Sequence, residues 1–150
     1  MPTNFAASRP VNPPGAEPKL TIEQLWTGLD TKIKQPELFV PGVIGAELVS
    51  EDGKLIRKMT TKNGEVIQEY ITTYNGTMVY FDGVETDARV TNAISYDQNG
   101  ELLLTFTFVG GIPGQQGLGA NTSAEEQNEF VGDVVQQTID GARGLVRQGI

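Results

Sequence analysis

From residue 122 to 148 the apolar positions recur at helical spacing. Phe130, Val131, Val134, Val135, Thr138, Ile139, Ala142, Leu145 and Val146 fall on one broad stripe, which predicts an amphipathic helix. Ser123 and Glu126 form a capping-box pattern at its start, with Thr122 as the other candidate cap. Glu125, Glu126 and Glu129 complement the positive end of the helix dipole, and Arg143 and Arg147 the negative end. A helix of about 25 residues is about 37 Å long, enough to cross a small sheet. Gly132, Gly141 and Gly144 interrupt the stripe. They predict either a close approach to the sheet or room for a ligand.

A second helical pattern covers 21–34. Ile22, Leu25, Trp26, Leu29 and Ile33 form its apolar face, and Thr21 with Gln24 gives a capping box. Trp26 is expected in the core, since large aromatics dominate burial. Gln35-Pro36 ends this helix, with one further turn at 36–39. Before it, 5–12 reads as an edge strand, broken by Pro13-Pro14-Gly15.

Between the helices the pattern changes to alternation. Asp52-Gly53, Asn63-Gly64, Asn75-Gly76 and Asn99-Gly100 each suit a two-residue hairpin turn. They divide the region into strands at 44–51, 54–62, 65–74, 77–82, 88–97 and 101–109, an antiparallel meander. Two-residue turns would place Lys58 opposite Glu69, Arg57 opposite Tyr70 and Tyr70 opposite Phe81. One face then carries a Glu47–Lys58–Glu69 charge ladder and is read as solvent-facing. The other carries Leu48, Leu55, Arg57, Met59, Gln68, Tyr70, Val79 and Phe81. In the last hairpin Leu102, Leu104, Phe106 and Phe108 share the inner side with Ala93 and Ser95, leaving Asn92 and Tyr96 outside. A shift of one residue would exchange the faces.

Composition narrows the chemistry. The 150 residues suit a single domain, 1–150. The sequence has no cysteine and no histidine. There is thus no disulfide framework, no thiolate nucleophile and no metal site built on those ligands, so a metal is not expected. The net charge of −8 argues against nucleic acid as a partner. No apolar run reaches signal-peptide or transmembrane length, so a soluble cytoplasmic protein is expected. The Gly110–Gly119 connector matches neither the dinucleotide nor the P-loop spacing. It reads as a mobile connector or as a lid over a cavity mouth.

Val11-Asn12-Pro13-Pro14, LTIEQLWTGL at 20–29, PELFVPG at 36–42 and GELLLTFTF at 100–108 resemble the AtaL-like family. The element order resembles the helix-grip fold of the wider START, birch-pollen-allergen and polyketide-cyclase (SRPBCC) superfamily. The likeness covers nearly the whole chain; the glycine-rich connector departs from the bacterial members. It implies an α+β fold in which a curved antiparallel sheet of about seven strands grips the long C-terminal helix, with two short helices after the first strand. It also implies an interior cavity for a hydrophobic or amphipathic small molecule. It brings no catalytic residue set.

The candidate site therefore rests on the inner face. Arg57 and Tyr70 are the candidate catalytic pair, supplying charge and a proton relay to a carboxylate, enolate or carbonyl oxygen. Gln68, Met59, Phe81, Leu104, Phe106, Phe108, Phe130 and Val134 are the candidate ligand contacts. Alternatively, Arg57 pairs with an acidic side chain or reaches to the rim. As a ligand anchor, Arg57→Leu would abolish binding and leave the fold intact. Three functions follow: a cofactor-free cyclase, isomerase or lyase of secondary metabolism, a non-catalytic carrier of a hydrophobic metabolite, or a protein-interaction module with a filled core. The first is favoured. Oligomeric state is not legible.

Overall fold

The computed structural model describes residues 4–113 and 121–149. Strand β1 (Phe5–Pro10) is followed by helix α1 (Ile22–Lys34) and a 3₁₀ turn at Pro36–Leu38. Strands β2 (Val43–Glu51), β3 (Lys54–Thr61), β4 (Val66–Tyr74), β5 (Met78–Gly83), β6 (Arg89–Tyr96) and β7 (Leu102–Val109) come next, and helix α2 (Ala124–Arg147) ends the chain. The seven strands form one antiparallel sheet in the order β1-β7-β6-β5-β4-β3-β2. The predicted α+β architecture is thus the one observed. Among the described residues no helix is long and apolar enough to cross a membrane.

Helix α1 starts on the predicted capping box: Thr21 Oγ1 accepts from Gln24 N, and Gln24 Oε1 accepts from Thr21 N. At α2 Ser123 Oγ accepts from Glu126 N, and its hydroxyl donates to Glu126 Oε1. Val131, Val135, Ile139 and Ala142 of α2 are buried against Leu25 and Leu29 of α1, Phe5 and Ala7 of β1 and Leu104 and Phe106 of β7. Trp26 is half-buried against this same core. Arg143 is buried as well. Its guanidinium donates to Val11 O at 2.6 Å, Pro18 O at 2.9 Å and Asn12 Oδ1 at 3.1 Å, tying the proline-rich segment to α2.

Two of the three interior glycines of α2 serve packing. Gly132 lies under the Arg9 guanidinium of β1, and Gly141 faces the Phe39 ring at 2.5 Å from where a Cβ would stand. Gly144 faces open space, whereas a Cβ on Gly28 of α1 would meet the Ala142 Cβ at 2.5 Å, where the helices cross. Gly28→Ala is therefore expected to destabilise by about 1–3 kcal/mol through overpacking. Gly144→Ala should stabilise by about 1 kcal/mol through helix propensity. Urea denaturation of the two variants side by side checks both signs.

The hairpins correct the predicted register. Only Asp52-Gly53 forms a two-residue turn with positive φ at both positions, 52° and 76°. At Lys62-Asn63-Gly64 and Gln98-Asn99-Gly100 only the glycine is left-handed, and the loops hold three residues, closed by Gly64 N→Thr61 O and Gly100 N→Asp97 O, both 3.0 Å. Tyr74 pairs with Met78 around a third three-residue loop. Each extra residue moves the pairing by one and flips the faces of the following strand. Arg57 therefore faces Glu69, not Tyr70, and Lys58 faces Gln68. Ile71 faces Phe81, and Asn92 faces Phe106.

Candidate functional site

Between the sheet and α2 lies an apolar hollow of about 600 Å³, as formed by the described residues. Met59, Ile67, Phe81, Val90, Phe106 and Phe108 line it from the sheet, and Phe130, Val134 and Gln137 from α2. Val40 to Val43, Ile112 and Pro113 border it. Residues 114–119 of the Gly110–Gly119 connector lie outside the described residues.

Arg57, Glu69 and Lys32 of the hollow's lining are buried, with Asn92 buried behind the Lys32 amine. Arg57 of β3 donates from Nη2 to Glu69 Oε1 of β4 at 2.7 Å, with both side chains 5% exposed. Its Nη1 reaches the carbonyls of Lys32 at 3.2 Å and Ile33 at 3.4 Å, in the last turn of α1. Its Cζ sits 4.8 Å from the centroid of the Phe81 ring. Arg57 thus satisfies orphan carbonyls at the helix C-terminus while neutralising a buried carboxylate. Its Nε–H is buried without an acceptor among the described residues.

Lys32 of α1 occupies the hollow itself. Its Nζ donates to Asn92 Oδ1 of β6 at 3.1 Å and lies 4.2 Å from the centroid of the Phe106 ring. Asn92 is fully buried, and its Nδ2 has no acceptor among the described residues. Burial, and secondarily the Arg57 cation, lower the Lys32 pKa from 10.5 to about 7; the Glu69 carboxylate opposes the shift. The amine is thus held near its titration point at neutral pH. Among the described residues no three His, Cys, Asp or Glu side chains converge to hold a metal ion.

The sequence-derived site is rearranged accordingly. Arg57 is where it was placed, and Met59, Phe81, Phe106, Phe108, Phe130 and Val134 line the hollow with it. Leu104 is fully buried in the core instead. Tyr70 and Gln68 lie on the outer face, with Tyr70 5.0 Å under the Lys54 ammonium. Glu69 leaves the predicted surface ladder for the interior, while Glu47 and Lys58 remain cross-strand neighbours. Lys32 and Asn92 were missed. Lys32 stands three residues after Leu29 and seven after Leu25, on the buried face of α1; counting only apolar positions passed over it. Asn92 alternates with Val90 and Ile94, which both face inward.

The model of the family Acetylaranotin biosynthesis cluster protein L (AtaL) matches residues 5–149. The chain belongs to the AtaL family. The Acetylaranotin biosynthesis cluster protein L of Aspergillus terreus (strain NIH 2624 / FGSC A1156) is 26% identical over 145 residues, covering 95% of this chain and 84% of that one. Among solved structures, the di-domain ARO/CYC StfQ from the steffimycin biosynthetic pathway superposes with a TM-score of 0.59 at 15% identity, covering 98% of this chain and 52% of StfQ. The di-domain ARO/CYC BexL from the BE-7585A biosynthetic pathway gives 0.54 at 16% identity, covering 95% of this chain and 49% of BexL. The chain spans about half the length of these di-domain proteins. Ara h 8.0201 gives 0.56 at 13% identity, covering 97% and 98%. These likenesses show that the chain shares the helix-grip fold of these neighbours.

Proposed function

We propose that this AtaL-family chain binds a hydrophobic or amphipathic small molecule in the hollow and acts on it as a cofactor-free cyclase, isomerase or lyase of secondary metabolism. The observation that carries this reading is the buried guanidinium and amine set, with the Glu69 carboxylate, into a largely apolar hollow of about 600 Å³. That volume falls within the range of about 300–1,000 Å³ typical of small-molecule sites. The biosynthesis-cluster relative and the ARO/CYC fold neighbours point the same way. Met59, Phe81, Phe106, Phe108, Phe130 and Val134 would shape the ligand, bringing reacting segments together. Donors in a dry site stabilise a developing oxyanion far better than water does. Arg57 Nε and Asn92 Nδ2 are the free donors for that task.

Native mass spectrometry of the purified protein tests the binding step. A co-purifying apolar molecule that is chemically changed on incubation supports catalysis; one released unchanged makes the protein a carrier. Val134→Trp would fill the hollow from α2. It is expected to weaken binding of the apolar dye 8-anilinonaphthalene-1-sulfonate by about ten-fold or more, roughly 1.4 kcal/mol. Its circular dichroism should be unchanged. Equal dye affinity in the variant would place the binding site elsewhere.

A further inference from the structure

We propose that Lys32 is a covalent catalyst whose Nζ condenses with an aldehyde or ketone carbonyl of the bound molecule to form an imine. This rests on the reading of the hollow as a small-molecule site and names the substrate class it would take.

The placement is what sets this amine apart. Lys32 is 7% exposed and lines the hollow. Among the described residues the ion pairs are Lys34–Asp30, Arg57–Glu69 and Arg89–Asp82, so Lys32 has no carboxylate partner. Arg57 of β3, which donates to the Lys32 backbone carbonyl, is another cation. Glu69 of β4 is engaged by Arg57, and Asp133 of α2 is exposed where it borders the hollow. An ammonium here is desolvated and faces a like charge, so the neutral, nucleophilic form gains ground; these are the conditions that activate a lysine for imine chemistry. The shift of its pKa to about 7 agrees.

The step balances without an outside reagent. The Nζ lone pair forms the C–N bond while the carbonyl π pair moves onto oxygen. A proton passes from nitrogen to that oxygen, giving the carbinolamine. The nitrogen lone pair then expels the hydroxyl, which takes a proton from solvent water and leaves as water, and the iminium remains. Hydrolysis reverses each bond change and frees the amine. The buried N–H groups of Arg57 Nε and Asn92 Nδ2, which lack acceptors, are donors for the carbonyl oxygen as it gains charge. An imine acidifies the neighbouring C–H bonds, the activation that ring closure between two carbonyl-bearing segments needs.

The test incubates the full chain with decanal and cyanoborohydride and maps the reduced adduct by peptide mass spectrometry. Decanol, an unreactive analogue, is titrated in parallel by displacement of the dye. At pH 7.5 Lys32 should be labelled about ten-fold or more faster than Lys34, Lys54 and Lys58, which lie outside the hollow. The rate should fall to half near pH 7. Lys32→Met and Lys32→Arg, checked for folding by circular dichroism, should lose the rapid label. Decanol binding with Lys32 labelled no faster than the exposed lysines overturns the covalent role and leaves the binding reading standing. Failure of both decanol and decanal to bind overturns both.

Discussion

Arg57→Leu is expected to destabilise the protein by about 3–5 kcal/mol, because it strands Glu69 as an unpaired buried carboxylate. For a domain of this size that corresponds to a fall in thermal midpoint on the order of 10 °C. The variant also removes the donors to Lys32 O and Ile33 O, loosening the end of α1 against the sheet. The expectation drawn from sequence, that leucine here leaves the fold intact, does not hold once Glu69 stands opposite. Glu69→Leu alone should be similarly damaging, since it leaves the guanidinium unpaired beside the Lys32 amine. The double variant Arg57→Leu/Glu69→Leu should recover most of the loss, because replacing both members of a buried pair with apolar groups is often near neutral. Urea denaturation of the four proteins gives the coupling directly. Additive losses would show that the two side chains do not share a buried bond. The double variant is also the background in which loss of ligand binding would report on Arg57 as an anchor, free of the folding defect.

The architecture was legible because it rests on patterns of many residues. Two amphipathic stripes, two capping boxes and four glycine-bearing turns fix the elements and their order whatever any single side chain does. The site was legible only in part because it depends on single-residue register. An Asn-Gly dipeptide fits a two-residue turn with both residues left-handed, or the end of a three-residue loop with only glycine so. Asn63-Gly64 and Asn99-Gly100 take the second form. One residue of difference exchanged Tyr70 for Glu69 beside Arg57, and Ala93 for Asn92 beside Phe106. On β5 two such shifts offset each other, so Val79 and Phe81 remain inside as expected. Lys32 was hidden for a different reason. A charged residue on the apolar face of a helix reads as a flaw in the stripe, whereas here it is buried polar chemistry. Sites are where local rules are broken, so a pattern search tuned to consistency passes over them.

That breach carries a stability cost with a definite pH signature. Above about pH 10.5 Lys32 is neutral in both the folded and unfolded chain and costs nothing through protonation. As the pH falls from there towards 7, the unfolded chain takes up a proton that the native protein refuses, so native stability falls. Below about 7 both forms are protonated and the loss levels off at its full value. The slope should approach 1.4 kcal/mol per pH unit within the window, and the whole shift is on the order of 5 kcal/mol. Arg57 and Glu69 are bound to each other in a buried pair and Asp133 is exposed, so the amine itself dominates this window. Lys32→Met keeps the volume and removes the charge. It forfeits the bond to Asn92 and the contact with Phe106, together worth about 1–3 kcal/mol. At pH 6 the variant should therefore be more stable than wild type by roughly 2–4 kcal/mol, an advantage that shrinks and reverses as the pH rises above 9. Stabilities of both proteins measured between pH 6 and 9.5 give the difference curve. A flat curve would mean that the native amine keeps its proton across the range, and the activated-lysine argument would go with it. A sloping one would show that the fold gives up stability to hold an uncharged amine in its hollow, which packing alone gives no reason to do.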